Sequence, residues 1–268
     1  MSAVLEMMRA AFVGIDDACT GLAGGQWDAP TECPGWSVKD IVSHLCGIEE
    51  GLLGKPRPLP VDPWPEHVKN ELAARNEADI LSRRSRPGQS VLEEFRDLTS
   101  QRVKELEQLP AGAWDAESQG VFGRAKLTEI IAIRVVDVYY HEQDIRRAVG
   151  RPGHHDGDVP AFVLQRMQKT LPRSLVKVAH APAGTTLLCD VTTLPGRPFA
   201  LEVRGDGRAY DVAVPRSPTV TLKTTSDGLL RLLGGRWEVG AAVHDGRVTV
   251  HGDTDLARRI LRDMAAMP

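Results

Sequence analysis

Asp137 and His141 stand four residues apart in a stretch, Leu127 to Val149, whose apolar residues Leu127, Ile130, Ile131, Val138, Ile145 and Ala148 recur at helical spacing. Residues four apart on a helix share a face, so the carboxylate and the imidazole can converge on one point, as two ligands of one metal ion would. Arg134 shares that face, which leaves a second chemistry open: an Arg134–Asp137–His141 polar patch of intrahelical charge pairs. Metal chemistry needs a third donor from elsewhere. The segment from Val38 to about Leu53 offers one, because it turns Ile41, Leu45, Ile48 and Leu52 inward and places His44 at the edge of the same face. Such a histidine is either a core residue satisfied by one hydrogen bond or a ligand. Helix bundles build metal sites from inward residues on facing helices. Two nitrogens and one oxygen suit zinc or another divalent metal, and three protein ligands leave a fourth position for substrate or water.

The elements that must position these side chains follow from the rest of the pattern. Val4 to Leu22 reads as an amphipathic helix ended by Gly24-Gly25. After the turn Cys33-Pro34-Gly35-Trp36, Ser37 caps the second helix and Asp40 meets its positive N-terminal end. The prolines at 56, 58, 60, 63 and 65 prevent continuous helix, so Trp64 and His67 sit on a long excursion that either lines a pocket or crosses the surface. Helical pattern resumes at Glu66 to Arg84 and Ser90 to Leu109, and a polar stretch with Trp114 and Phe122 leads into the Asp137 helix. The N-terminal half is thus expected to be an all-helical bundle with at least four long helices.

Past Gly150 the character changes. A turn carrying His154 and His155 reads as a linker, followed by a helix over Val159 to Val178. Short strand-like runs then span Thr185 to Val191, Pro198 to Val203, Ala209 to Val214 and Thr219 to Leu222. A helix at Ser226 to Leu233, a strand at Arg247 to Val250 and a helix from Asp253 to Met264 complete the chain. The expected fold class is therefore α plus α+β: a four-helix bundle over residues 1–152, then a smaller α+β domain with an antiparallel sheet over 158–268. On the Gly235-Arg236-Trp237 turn, Arg236 either clamps a substrate carboxylate bidentately from across an interdomain cleft or is a solvated surface arginine; Arg231 is the second candidate.

Composition narrows the function classes. The 268 residues hold 33 Lys plus Arg against 36 Asp plus Glu, interspersed, which gives no electrostatic footprint for nucleic acid or an anionic membrane. No apolar run reaches the roughly 18 residues that span a bilayer, and Glu6, Asp16 and Asp17 interrupt the N-terminal segment where a signal peptide would be apolar, so a cytoplasmic protein is expected. The four cysteines, Cys19, Cys33, Cys46 and Cys189, show neither disulfide nor zinc-knuckle spacing. Serine-nucleophile, P-loop and dinucleotide motifs are missing as well.

The entry Cys33-Pro34-Gly35-Trp36-Ser37-Val38-Lys39-Asp40, His44 seven residues after Ser37, and the run Asp137-Val138-Tyr139-Tyr140-His141-Glu142-Gln143-Asp144 together resemble the mycothiol-dependent maleylpyruvate isomerase family. The resemblance implies a DinB-like metal-binding four-helix bundle whose three metal positions fall on His44, Asp137 and His141. In one departure, members of that family often carry Glu where Asp137 stands, and Asp is one methylene shorter. The C-terminal half resembles the family's sterol-carrier-like domain, chiefly at Thr224-Thr225-Ser226-Asp227 and Val250-His251-Gly252-Asp253. The implied activity is metal-dependent and uses mycothiol as cosubstrate against a small electrophile, with either an isomerase or an S-transferase outcome, in a monomer or homodimer. Two other functions stay open: a carrier holding an apolar ligand in the C-terminal domain, and a metal-dependent hydrolase.

Overall fold

The computed structural model describes residues 3–120, 123–262 and 264–266; Phe122 and Asp263 lie outside them. The chain divides into two compact units, Met1–Gly153 and His154–Pro268.

The first unit is helical. Its helices are α1 (Ala3–Cys19), α2 (Val38–Leu52), α3 (Glu71–Leu81), α4 (Gly88–Glu107) and α5 (Leu127–Ala148). Helices α1, α2, α4 and α5 form the bundle, with α3 laid against α2. Its core collects one apolar stripe from each helix: Leu5, Met8, Phe12 and Ile15; Ile41, Leu45 and Ile48; Leu92, Phe95 and Leu106; Ile131, Val135, Val138 and Ile145. Phe12 and Phe95 meet edge to face, with ring centroids 5.7 Å apart.

Local chemistry sets where the helices start. Ser37 Oγ accepts from the Asp40 amide at 3.3 Å, and Asp40 Oδ2 accepts from the Ser37 amide at 2.9 Å. This reciprocal cap begins α2 at Val38. Asn70 caps α3 through the Ala73 amide at 2.8 Å, which starts that helix at Glu71 rather than Glu66, after the proline-containing excursion. A short antiparallel hairpin, β1 (Glu117–Gly120) with β2 (Gly123–Lys126), precedes α5. The sequence pattern did not announce it, because Glu117-Ser118-Gln119-Gly120 carries no β-branched or apolar alternation.

The second unit is α+β. Strands β3 (Thr186–Val191), β4 (Phe199–Val203), β5 (Ala209–Val212), β6 (Val220–Thr224) and β7 (Thr249–Gly252) form one sheet in the order β5-β4-β3-β6-β7. All neighbouring pairs are antiparallel except β3 with β6, which run parallel with Leu187 opposite Val220. The expected single helix over Val159 to Val178 is broken into α6 (Asp158–Gln168), a turn α7 (Leu171–Arg173) and a π-helical turn over Ser174–Val178. Pro172 explains the break, since it lacks an amide hydrogen and clashes with the preceding turn. Helices α8 (Ser226–Leu233), α9 (Val239–His244) and α10 (Thr254–Arg262) complete the unit. Leu229, Leu233, Leu256 and Ile260 join the inward residues of β3 and β6 in its core.

The seam between α1 and α5 is closed where Gly14 faces Glu142. A β-carbon on Gly14 would lie 2.2 Å from Glu142 Oε2, and that carboxylate is fully buried and held by Arg146 Nε at 2.6 Å, so making room would disturb a buried ion pair. Helix propensity favours alanine over glycine by about 1 kcal/mol, whereas overpacking costs about 1–3 kcal/mol. Gly14→Ala is therefore expected to lower the urea midpoint at unchanged m-value; a midpoint at or above wild type would show that the seam tolerates the methyl group.

Candidate functional site

Helices α2 and α5 pack together, and the three side chains singled out by spacing meet between them. One donor atom from each of His44, Asp137 and His141 lies within 4.8 Å of the others. His44 Nε2 is 3.8 Å from Asp137 Oδ2, and His141 Nε2 is 3.6 Å from Asp137 Oδ1. The two imidazoles stand edge to face, centroids 4.9 Å apart. Both are buried, while the Asp137 side chain keeps 23% of its surface open. Neither ring nitrogen of His44 has a hydrogen-bond partner. A buried imidazole with two unpaired nitrogens is costly. A divalent cation accepting the lone pair of one of them relieves that cost, so the donor set fits such an ion.

The charges around the trio are balanced within the bundle. Arg134 donates from Nε and Nη2 to Glu49 Oε1 at 3.1 and 2.8 Å, and from Nη1 to Asp137 Oδ2. The intrahelical patch and the converging trio are therefore both present, sharing Asp137. Burial works to raise the Asp137 carboxyl, but Arg134 and then the two imidazoles outweigh it and hold the group well below the usual carboxylate range. Burial opposes the charge on Arg134, yet Glu49 and Asp137 raise its pKa. The other Glu49 oxygen faces Arg102 Nε at 4.0 Å, and burial lowers the pKa of Arg102.

A surrounding layer fixes the ligand-bearing segments. The Trp36 ring lies 5.1 Å from that of His44 and 6.1 Å from that of His141. Its indole N–H donates to Glu77 Oε2 at 3.1 Å. The same oxygen receives His67 Nε2 at 3.0 Å, and the His67 ring closes over Gly35, where a β-carbon would sit 2.7 Å from Nδ1. Gly35 has φ +80°, so both its backbone and its close neighbour call for glycine. His67 thus buttresses the turn that carries Trp36, whereas Trp64 is exposed. Below His141, Asp144 Oδ2 lies 3.3 Å from the ring Nδ1 and accepts from the Cys33 thiol at 3.3 Å. Sequence reasoning passed over Asp144 and Glu49. Asp144 is three residues after His141, a spacing that faces the same side; Glu49 gave no such signal, since it adjoins Glu50 and reads as solvated.

Arg231 and Arg236 belong to the second unit. Arg231 pairs with Asp227 at 3.6 Å and lies over the Trp237 ring, 4.8 Å from its centroid. Arg236 Nη1 donates to the Gly234 carbonyl at 2.9 Å. His154 opens the second unit.

Two stability consequences follow. Removing Glu49 leaves a buried guanidinium short of its main counter-charge, so Glu49→Ala is expected to cost about 3 kcal/mol in urea unfolding; a loss under 1 kcal/mol would mean the pair is dispensable. Burial also lowers the His44 pKa from its ordinary 6.5. As pH falls through 6.5 the unfolded chain takes up a proton that folded His44 refuses, so stability declines on the acid side with a slope of up to ~1.4 kcal/mol per pH unit. Metal-free protein unfolded in urea between pH 7.5 and 5.5 should show this decline, and His44→Gln should flatten it; an equal slope in the variant would contradict the assignment.

Comparison with known proteins agrees with this architecture. Residues 8–146 match the family model described as the mycothiol maleylpyruvate isomerase N-terminal domain, and residues 164–262 match the SCP-2 sterol transfer family. No curated protein matches at a significant level. Among solved structures, the crystal structure of the mycothiol-dependent maleylpyruvate isomerase superposes with a TM-score of 0.55 at 17% identity, covering 87% of this chain and 88% of that one. A histidine-to-alanine mutant of that enzyme gives a TM-score of 0.54 at 17% identity over 92% and 91%. At this identity the likeness concerns the fold. The first family model spans more than half of the sequence, and on that ground the chain belongs to the mycothiol maleylpyruvate isomerase N-terminal domain family.

Proposed function

We propose that the chain is a metal-dependent enzyme that uses a low-molecular-weight thiol, mycothiol, as cosubstrate against a small electrophile, with an isomerase or S-transferase outcome. The observation that carries this reading is the convergence of His44, Asp137 and His141, with both His44 nitrogens unpaired inside the bundle. Family membership supports the choice of thiol. In this reading His44 and His141 supply nitrogen donors and Asp137 an oxygen donor to a divalent cation, zinc by the character of the donors. When bound, the ion stabilises a thiolate, so that a thiol of ordinary pKa near 8.5 is a nucleophile at neutral pH.

The chain's own residues do the rest. Arg134 takes up one lobe of Asp137 Oδ2 and keeps the carboxylate charged. Trp36 walls the two imidazoles, and Glu77 holds it there. Three protein donors leave a coordination position for sulfur. Thiolate addition to a carbon–carbon double bond makes it a single bond; after rotation, expulsion of the thiolate restores the alkene as the other geometric isomer. In the transferase outcome the sulfur stays attached and the adjacent carbanion takes a proton from solvent. Among the described residues no helix is long and apolar enough to cross a membrane, and a cytoplasmic site of action belongs to the same proposal.

The test joins metal analysis to thiol dependence. Purified protein is expected to hold close to one divalent ion per chain and to turn over a cis-unsaturated 2-oxo acid only with mycothiol present. His44→Ala should lose the ion and at least 100-fold in rate while keeping its helical circular dichroism. Full activity in metal-free protein would overturn the proposal, and a rate independent of added thiol would favour a hydrolase. Co-purified lipid with no metal would favour a carrier.

A further inference from the structure

We infer that Asp144 is a positioning residue for His141, fixing its imidazole as the Nδ1–H tautomer so that the Nε2 lone pair faces Asp137 and His44. Asp144 is fully buried, three residues after His141 on α5. Its Oδ2 stands 3.3 Å from His141 Nδ1 and accepts from Cys33 Sγ at 3.3 Å, while Oδ1 accepts from Arg147 Nη1 at 3.3 Å. Arg147 in turn reaches Glu32 at 3.2 Å. A carboxylate paired with a guanidinium only accepts hydrogen bonds. Carboxylates face both ring nitrogens, and the proton belongs on Nδ1 because Asp144 is the nearer, at 3.3 against 3.6 Å, and is fully buried, whereas Asp137 keeps 23% of its side chain open to water. The opposite nitrogen, Nε2, lies 3.6 Å from Asp137 Oδ1, where its lone pair points at the same space that His44 and Asp137 address. A carboxylate on the far nitrogen of a ligating histidine sets its orientation and raises its basicity.

The geometry also separates this role from two others that the same residues suggest. In a Cys–His–Asp relay the thiol and the carboxylate occupy opposite nitrogens of the ring. Here Cys33 Sγ is 4.0 Å from His141 Nδ1, the nitrogen Asp144 already faces, so the thiol is no nucleophile activated through that imidazole. Cys33, His141 and Asp144 also lie close enough to hold a cation themselves. That arrangement would leave both His44 nitrogens without a hydrogen bond, whereas the assigned one gives His44 a ligand. Cys33 acts as a second donor that keeps the Asp144 carboxylate turned toward the ring.

The tautomer stands independently of the metal; its consequence for affinity rests on the proposed metal site, and the experiment separates the two. Nitrogen-15 histidine spectra of the metal-free full chain, with His141 identified by its loss in His141→Gln, are expected to show Nδ1 protonated and Nε2 bare. A protonated Nε2 in neutral His141 would overturn the inference whatever the variants do. Zinc affinity, measured by competition with a chromophoric chelator, is expected to fall at least tenfold in Asp144→Asn and to stay within about twofold of wild type in Cys33→Ser, a hydroxyl that still donates to the carboxylate. Unchanged affinity in folded Asp144→Asn would overturn the positioning role, and an equal loss in Cys33→Ser would place the ion on the cysteine-containing group instead. A wild type that binds no zinc but shows Nδ1–H removes the metal reading and leaves the Asp144–His141 assignment standing.

Discussion

The ion pair between Glu49 on α2 and Arg134 on α5 is the constraint on which the first unit turns. Both groups are buried, and a charge taken out of water is tolerable only with a partner in good geometry. The guanidinium meets that condition twice over, because its Nε and Nη2 grip one Glu49 oxygen while Nη1 holds Asp137. The register of α2 against α5 is thereby set by hydrogen-bond directions as well as by apolar packing. Sliding either helix by one residue would turn the donors away from the acceptors and strand three charges in the core. His44, one turn and a half before Glu49, is carried into place by the same alignment.

Helix α5 accordingly breaks the usual amphipathic rule. Arg134, His141, Glu142, Gln143 and Asp144 are all buried, and they occupy more than one face. Each is matched to a neighbour: Arg134 to Glu49, His141 to Asp144, Glu142 to Arg146, Gln143 to the Gly153 carbonyl at 3.2 Å, and Asp144 also to Arg147. A helix polar on several sides and still central is stable only because every member of that set is satisfied. Across the seam on α2 both His44 nitrogens are unpaired, and Glu49 Oε2, 4.0 Å from Arg102 Nε, lacks a hydrogen bond as well. Of these, the His44 nitrogens lie beside Asp137 and His141, where a ligand would satisfy them.

The fold was legible wherever periodicity ran long enough. Five helices of the first unit follow from apolar spacing, and the Ser37–Asp40 cap from residue types alone, because these signals are local. Short elements were not legible. The Glu117–Lys126 hairpin has no alternation to reveal it, and the six-residue helix α9, capped by Glu238, is shorter than two turns and gives no period. The parallel pairing of β3 with β6 depends on long-range packing that no window of sequence contains. At the site, the spacing of Asp137 and His141 announced a shared face, and His44 announced itself as inward; that the three meet is a property of helix packing. Glu49 was illegible for a physical reason: a glutamate is ordinarily solvated, and only the arginine that arrives 85 residues later makes its burial tolerable.

The chain's own sulfur chemistry bears on where a nucleophile would come from. Burial pushes the thiols of Cys19 and Cys189 up to about 12 and that of Cys46 higher still. None of these is a thiolate at neutral pH, and a thiol is a weak nucleophile without ionisation. Cys33 is near the imidazoles, but its proton is directed at the Asp144 carboxylate. All four cysteines are buried thiols. A molecule from solution would meet the trio at Asp137, whose side chain keeps 23% of its surface open while both imidazoles are buried.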